Sequence, residues 1–225
     1  GLYSRVMGID EVGRGSWAGP IYVGAYVCYP GSVLVDGVHD SKKLTSKARE
    51  SAYEKLIDTK SNVKGQGSEQ ELETEILQDV SSDEFTGNKN ITYKVVQGSV
   101  EMIDGYGVGK TLEKLIESLV MNLFSEDSYF IVDGQFSSDF GKNVRKVISA
   151  DSIFYSVAAA SIIAKVERDA HLVELDKFYP EYGFKQHKGY GTKFHREALS
   201  RFGFCEIHRK SYLPIKKMQG LSCKP

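Results

Sequence analysis

Near its start the chain contains the stretch Gly8-Ile9-Asp10-Glu11-Val12-Gly13-Arg14-Gly15-Ser16-Trp17-Ala18-Gly19-Pro20. Apolar residues lead into it and the β-branched and aromatic run 21–29 follows it, so two strands with a loop between them are predicted. Two carboxylates, Asp10 and Glu11, stand where the first strand is expected to end. An isolated Asp-Glu pair would favour a solvated turn, but the Gly-Arg-Gly and Trp17 that follow argue against it. Buried like charges require neutralising cations, so this strand end predicts a cation-binding cleft.

The pattern downstream alternates strands and helices, which is typical of an α/β domain. Strands are predicted over 5–10, 21–29, 91–98, 129–134 and 144–148. Helices are predicted after the N-cap Thr45 and over 112–124, 152–178 and 192–202. In the first two helices apolar residues recur at spacings of three and four. The third is rich in alanine, and its centre is small enough to pack closely on a sheet.

Two segments depart from this regular pattern. Residues 60–90 are acidic and poor in core-forming residues, which predicts a peripheral insertion with a short helix over about 68–80. Segment 105–111 resembles a phosphate-binding loop in composition, but position 104 is Asp where that motif requires glycine. A flexible lead-in to the next helix is therefore the preferred interpretation of 105–111.

The charge balance limits the possible functions. The 225 residues carry a formal net charge of −1, so the whole molecule is not a simple basic nucleic-acid binder. Residues 185–225 nevertheless carry ten Lys or Arg against two Glu, and residues 60–90 carry three Lys against seven acids. A basic tail beside an acidic middle suits a protein that guides a polyanion, although two solvated faces would explain the same pattern.

Cysteine usage and hydropathy predict the cellular location. Cys28, Cys205 and Cys223 lack the spacing of metal or redox motifs, and no disulfide framework is expected. There is no signal peptide and no run of about 18 apolar residues. We therefore expect a soluble, cytoplasmic protein that has no membrane contact and acts as a monomer.

Four acids at three places have the pattern of a metal site. Asp10 with Glu11 and Asp133 end predicted strands, and Asp151 precedes a predicted helix. An oxygen-only ligand set favours a hard divalent cation such as Mg²⁺. Two such ions about 3.5–4 Å apart could stabilise both the attacking and the leaving oxygen of a phosphodiester. Each acid alone could also be a turn former or a helix cap, so the joint pattern carries the prediction.

These motifs resemble the ribonuclease HII (type 2 ribonuclease H) family. The resemblance covers 8–20, 40–44, 132–134, 150–169 and 183–214. It implies a ribonuclease H-like α/β fold, with a mixed sheet flanked by helices and a helical carboxyl-terminal portion. It further implies a catalytic domain over 1–180 and a substrate-binding portion over 181–225 packed on it. By the same resemblance Asp10, Glu11, Asp133 and Asp151 are the catalytic residues and the ligands of Mg²⁺ or Mn²⁺, with two ions expected when substrate is bound.

The resemblance also implies which residues bind substrate. Gly13, Arg14, Gly15 and Tyr190 would sense the ribonucleotide on the 5′ side of the cut, and Lys42 would contact the nucleic-acid backbone. From the residues alone, Lys42 could equally lie in water, and a lone Gly-Tyr-Gly is more often a turn. Further phosphate contacts are expected from the carboxyl-terminal lysines and Arg209. Surface or phosphate-side positions are expected for His187, His195 and His208, which lack zinc spacing.

The function implied by the resemblance is endonucleolytic cleavage of RNA. The RNA strand of RNA–DNA hybrids and duplex DNA with a single embedded ribonucleotide would be cut, the latter 5′ to the ribonucleotide, leaving 5′-phosphate and 3′-hydroxyl ends. A ribonuclease H-fold DNA nuclease or junction resolvase and a non-catalytic hybrid-binding protein are the alternatives. Asp169 is the rival for the fourth acid, but it lies about 27 Å along the predicted helix from Asp151. No clear sliding-clamp motif is present.

Overall fold

The computed structural model describes residues 3–39, 41–58 and 93–219. The strands are β1 (Arg5–Val12), β2 (Ile21–Cys28), β3 (Tyr93–Gly98), β4 (Ser128–Asp133) and β5 (Val144–Val147). The helices are α1 (Ser46–Ile57), α2 (Val100–Tyr106), α3 (Val108–Leu123), α4 (Tyr155–Phe178), α5 (Phe184–His187), α6 (Lys193–Phe202) and α7 (Leu213–Gln219), with a 3-10 helix at Ala150–Ser152. The predicted insertion over 60–90 and its helix lie outside the described residues. In the described ranges, no helix combines the length and the apolar character needed to cross a bilayer.

Strand β1 lies in the middle of a mixed sheet. Among the described residues the sheet has five strands in the order β3-β2-β1-β4-β5. Strand β1 is antiparallel to β2 and parallel to β4, while β2–β3 is antiparallel and β4–β5 parallel. The register pairs Ile9 with Val132, so Asp10 and Asp133 follow at neighbouring positions. The predicted mixed sheet is confirmed, and its topology brings two of the predicted acids to one edge.

Two helices cover the faces of this sheet. Helix α3 packs on one face with an apolar cluster that includes Met7 and Ile9 of β1. Helix α4 lies on the other face at very short range, because a Cβ on Gly8 would overlap the backbone of Ser156 and Val157. The close approach predicted for the alanine-rich helix is therefore confirmed, and it places α4 directly behind Asp10.

The main differences from the sequence predictions concern the end of β1, the segment before α3 and the start of α4. Strand β1 continues through Val12 instead of ending at Asp10, since its pairing with β2 extends to Tyr22. Helix α2 was not expected. The interpretation of 105–111 as a flexible lead-in is wrong, because α2 runs to Tyr106 and α3 begins at Val108, directly after Gly107 with φ of 82°. The long helix begins at Tyr155 rather than at residue 152, because the chain first turns through the left-handed Ser149 and the 3-10 helix.

The carboxyl-terminal helices pack on the loop after β1 and on the end of α4. Their apolar cluster joins Ala18 of that loop and Leu172 of α4 to buried side chains of the terminal segment. Those side chains are Tyr182, Phe184, Ala198, Leu199 and Ile215. An isolated bridge between Ala18 and His208 adds a main-chain link. The packing brings residues 187–192 beside the loop after β1.

Candidate active site

Three carboxylates from three elements meet at the edge of the sheet. Asp10 comes from β1, Asp133 ends β4, and Asp151 lies in the 3-10 helix. Their carboxylate oxygens lie within 4.8 Å of one another, and Asp10 and Asp151 are buried. Asp169, the rival considered for this set, is instead paired with Lys165 at 2.7 Å.

Asp10 is held by hydrogen bonds from its own strand and from helix α4. Its Oδ1 accepts from the Glu11 amide at 2.8 Å, and its carboxylate is hydrogen bonded to Ser161. Burial raises the pKa of Asp10 to about 8, the Ser161 hydrogen bond opposes that shift, and the charges of Glu11 and Asp133 add to it. Ser161 in turn lies 2.8 Å from Ser41 Oγ, which ties the loop before α1 to the site. Asp10 is therefore a buried carboxyl group surrounded by other negative charges.

The other two acids of the cluster have different partners. Asp133 Oδ1 accepts from the Ala150 amide at 2.9 Å, which joins β4 to the 3-10 helix. Asp151 Oδ2 lies 3.4 Å from Lys42 Nζ, whose side chain is 77% exposed. Helix α4 has no side-chain cap from Asp151, so the alternative of a simple helix cap is wrong. Lys42 thus lies at the rim of the acidic cluster, where a charged group from solvent can approach.

Glu11 is the next residue of β1, and its carboxylate is not one of the three that share a centre. Its Oε1 is 3.7 Å from Arg14 Nη1. Burial raises the pKa of Glu11, Arg14 opposes the rise, and the charge of Asp133 adds to it. Glu11 is therefore electrostatically coupled to the cluster through Asp133 without sharing its centre.

The donor set fits a hard divalent cation. Oxygen ligands without nitrogen or sulfur are the preference of Mg²⁺ and Mn²⁺. The pKa of Asp10 is raised chiefly by burial and further by the charges of Glu11 and Asp133, and a bound cation would offset both effects. The residues present therefore fit the metal that the sequence pattern predicts.

The loop after β1 is immobilised by glycine geometry and by a buried arginine. Gly13 has φ of 90°, and a Cβ there would overlap the side chain of Arg168. Arg168 is fully buried and donates to the carbonyls of Pro20 (3.0 Å), Lys188 (3.1 Å) and Ala18 (3.3 Å). One guanidinium on α4 therefore binds both the loop after β1 and the loop that carries Tyr190.

Arg209 is not the phosphate contact that the sequence suggested. It is fully buried, because its guanidinium donates to the carbonyls of Gly13 (2.7 Å), Arg14 (3.2 Å), Gly19 (2.9 Å) and Pro20 (3.1 Å). The hydroxyl of Tyr212 also donates to the Arg14 carbonyl. Arg209 serves the loop that follows β1 rather than the solvent.

Tyr190 lies against this loop. A Cβ on Gly15 would be 4.0 Å from the Tyr190 ring, whose centroid is 5.8 Å from Lys165 Nζ and 5.7 Å from Arg168 Cζ. Lys165 is four residues after Ser161 on α4, which corresponds to about 6 Å along the helix. Helix α4 therefore contacts Asp10 and Tyr190 with side chains one turn apart, Ser161 and Lys165.

The expectation of surface or phosphate-side histidines is wrong. His195 and His208 are fully buried and His187 is nearly so, and the three rings cluster behind Tyr190. Burial is possible because their ring nitrogens are hydrogen bonded to one another and to main-chain groups.

Sequence reasoning missed Ser161 and Arg168 as supports of the site. Both lie in the alanine-rich helix, which was noted only for its close packing. Two signals could have identified them. One is a serine at a buried position among alanines, and the other is an arginine on the buried face of α4.

Comparison with known proteins agrees with this geometry. The profile of the family described as Ribonuclease HII matches residues 7–214. A Ribonuclease HII from Caldicellulosiruptor bescii is 36% identical over 211 residues, covering 94% of this chain and 87% of the relative. One from Chlamydia trachomatis serovar A is 39% identical over 215 residues, covering 96% and 85%. The crystal structure of ribonuclease H2 from Pyrococcus horikoshii OT3 superposes with a TM-score of 0.67 at 25% identity, covering 98% of this chain and all of that one. A structure of Bst-RNase HIII in complex with Mn²⁺ shares the fold, with a TM-score of 0.57 at 17% identity, covering all of this chain and 72% of that one.

The fold and the acidic cluster define a ribonuclease H-like nuclease of the kind that depends on divalent metal. Within that class, the chain belongs to the ribonuclease HII family. It is accordingly a metal-dependent ribonuclease, and the resemblance inferred from its motifs is confirmed.

Proposed function

We propose that this ribonuclease cleaves the RNA strand of RNA–DNA hybrids and also cuts 5′ to a single ribonucleotide in duplex DNA. The products are 5′-phosphate and 3′-hydroxyl ends. The observation that carries the proposal is that helix α4 contacts the acidic cluster through Ser161 and the Tyr190 ring through Lys165 and Arg168. A ribose held by the loop after β1 would place its 5′ phosphodiester at the acids.

Asp10, Glu11, Asp133 and Asp151 would hold the divalent cations. When bound, two such ions supply an activated water and stabilise the charge that develops on the leaving 3′ oxygen. Ser161 and the Glu11 amide fix the carboxylate of Asp10, and the Ala150 amide fixes that of Asp133. Mg²⁺ or Mn²⁺ fits this oxygen-only set.

Recognition of the ribose would rest on main-chain amides of the glycine loop. Arg209 accepts no hydrogen bond and draws the carbonyls of Gly13 and Arg14 towards itself. Since a trans peptide places its N–H opposite its C=O, the amides of Arg14 and Gly15 point away from Arg209. An outward amide next to a glycine allows close approach of a 2′-hydroxyl, the group that distinguishes RNA from DNA. Tyr190 would lie against the same sugar.

Binding of the duplex would use exposed cations around the site. Lys42 and Arg14 are exposed beside Asp151 and Glu11, and each could turn to a backbone phosphate when metal neutralises the acids. We propose that residues 181–225 form the substrate-binding portion packed on a catalytic domain over 1–180. We further propose that the enzyme is cytoplasmic, since Cys28 and Cys205 are free thiols and suit a reducing compartment. We also propose that it acts as a monomer.

A panel of four substrates tests this function. The panel contains a continuous RNA–DNA hybrid, a DNA duplex with one embedded ribonucleotide, the matching all-DNA duplex and a four-way DNA junction, each with MgCl₂ or with EDTA. We expect Mg²⁺-dependent cleavage of the first two, with a single cut 5′ to the embedded ribonucleotide. Comparable cleavage of the all-DNA duplex or the junction would indicate a DNA nuclease, and hybrid binding without turnover would indicate a binding protein.

A further inference from the structure

Three buried histidines stand behind the loop that carries Tyr190. His187 and His195 are stacked, with centroids 4.4 Å apart, and His195 Nε2 lies 3.0 Å from His208 Nε2. His195 Nδ1 lies 3.0 Å from the Tyr190 carbonyl oxygen. The chain of contacts therefore runs from His208 through His195 to the main chain of Tyr190, and the catalytic carboxylates do not take part in it.

The partners of these rings determine which nitrogens carry protons. His208 Nδ1 accepts from the Cys205 amide at 3.0 Å, so Nε2 of the neutral ring bears the proton and donates to His195. His195 Nε2 then accepts, and its Nδ1–H donates to the Tyr190 carbonyl. Each bond requires the next, so a single arrangement of tautomers satisfies the whole chain.

A charged ring would break this chain. If His195 gained a proton, both facing Nε2 atoms would be donors; if His208 gained one, its Nδ1–H would face the Cys205 amide, and in either case one buried N–H would lose its acceptor. Burial lowers the pKa of His195 to about 4 and that of His208 to about 3, so both rings stay neutral at physiological pH. Besides burial, His187 disfavours a positive charge on His195, and His195 and His187 disfavour one on His208.

We infer that His195, oriented by His208, is a positioning residue that fixes the main chain of Tyr190 and thereby sets the preference of the enzyme for an embedded ribonucleotide. The inference rests on the proposed function, in which Tyr190 lies against the ribose. The main chain of Tyr190 also makes two short-range main-chain hydrogen bonds. Its N–H donates to the His187 carbonyl, and its carbonyl accepts from the Thr192 N–H. His195 links the peptide to a separate helix, α6, and through His208 to the segment that precedes α7.

Two variants of His195 separate its two hydrogen bonds, the one to the Tyr190 carbonyl and the one to His208. In His195→Asn the side-chain amide can occupy the place of Nδ1–H and donate to the Tyr190 carbonyl, while the contact with His208 is lost. In His195→Gln the side-chain oxygen can accept from His208, while the donor to Tyr190 is lost. We expect His195→Gln to lower kcat/KM about tenfold on the single-ribonucleotide duplex, with a change of less than twofold on the continuous hybrid. His195→Asn should retain most of the wild-type ratio between the two substrates.

The control is Leu199→Ala, a buried change in the same helix whose apolar side chain makes no hydrogen bond to the histidines. It should lower the melting temperature as much as the histidine variants do, yet keep the substrate ratio of the wild type. If both His195 variants fail to fold, His208→Gln and His208→Leu repeat the comparison, because only Gln retains an N–H for His195.

A double-mutant cycle with Tyr190→Ala decides whether the histidine acts through the tyrosine. In the Tyr190→Ala background, His195→Gln should cause no further loss on the single-ribonucleotide duplex. If the losses caused by His195→Gln and Tyr190→Ala multiply in the double mutant, or if His195→Asn and His195→Gln lose equally, the inference is overturned. The proposed function stays intact in that case as long as the wild-type protein cleaves both ribonucleotide substrates. A wild-type protein that cuts neither ribonucleotide substrate would overturn the proposed function and this inference together.

Discussion

The two ends of the active-site cleft bury polar groups in opposite ways. At the edge of the sheet, Asp10, Asp133 and Asp151 place like charges together, and the pKa of Asp10 is raised as a result of burial. Behind the neighbouring loops, Arg168 and Arg209 are also buried, but main-chain carbonyls satisfy their donors. The first region is incomplete without a cation, whereas the second is complete within the protein. The acidic region is therefore suited to bind a cation, whereas the buried arginines fix the positions of the neighbouring loops.

The largest expected effect lies at the incomplete end. Asp10→Asn should reduce cleavage by roughly 10²–10³-fold or more, because it removes a central ligand of the cation that stabilises the transition-state charge. Binding of the hybrid should change little, and the metal-free protein should remain folded, since the change removes a repulsive charge. Single-turnover cleavage and a binding titration measure the two effects. The control Asp127→Asn, an exposed acid at the opposite end of β4, should cleave at the wild-type rate.

In the region of the buried arginines, loss of a charged side chain should mainly lower the stability of the fold. Arg209→Met leaves main-chain carbonyls of the glycine loop without donors, so we expect the free energy of unfolding to fall by about 3 kcal/mol. Urea denaturation checks this loss. Arg201→Met, an exposed change in the same segment, should stay within about 0.5 kcal/mol of the wild type. Equal stabilities of the two variants would remove the distinction between the regions.

Tyr190 lies where the two regions meet and should affect selectivity. Tyr190→Ala should lower kcat/KM on a single-ribonucleotide duplex by about tenfold, the usual size of a lost stacking contact. The loss on a continuous hybrid should be smaller, because every register of that substrate offers a ribose. Steady-state cleavage of both substrates measures the difference. Equal losses on both would remove the sensing role of Tyr190.

The histidines give the complete end its own pH dependence. Because the pKa values of His195 and His208 are depressed below the unfolded value of about 6.5, their contribution to stability is full above that pH and is lost as the pH falls towards 4 and 3. Each ring should contribute a slope approaching 1.4 kcal/mol per pH unit. Urea denaturation between pH 7 and 4.5 measures this slope. His208→Gln should be less steep than the wild type, and parallel curves would contradict the assignment.

The smallest effect is expected at the exposed rim. Lys42→Ala should raise KM a few-fold and leave kcat nearly unchanged, because an exposed ammonium contributes less than about 1 kcal/mol. Steady-state cleavage at two salt concentrations measures it. The exposed Lys47→Ala on α1 is the control and should match the wild type.

Elements with a regular apolar pattern were predictable from the sequence. Six apolar positions of α3, from Leu112 to Leu123, are buried as expected, while Phe124 is exposed because the helix ends before it. The acids Asp10 and Asp133 were predictable as neighbours, since each lies near the end of a buried strand. Their shared role came from the family resemblance, because isolated acids at strand ends are common.

The features that sequence reasoning misplaced depend on main-chain geometry. The histidines and Arg209 were expected near phosphate because their polarity suggests exposure. They are buried because carbonyls of distant loops satisfy them, and no local pattern records which carbonyls will be near. The start of α4 was misplaced for a similar reason, since Ser149 adopts a left-handed conformation that its residue type does not announce.

The central claim is that the incomplete end is a divalent-cation site, and Mn²⁺ binding in the absence of nucleic acid tests it most directly. Free Mn²⁺ can be followed by its paramagnetic resonance signal during titration of wild-type protein and of Asp10→Asn, with Mg²⁺ as competitor. We predict saturable binding to the wild type that Mg²⁺ displaces, and binding that is at least tenfold weaker in the variant. Equal Mn²⁺ affinity in the two proteins would contradict the account.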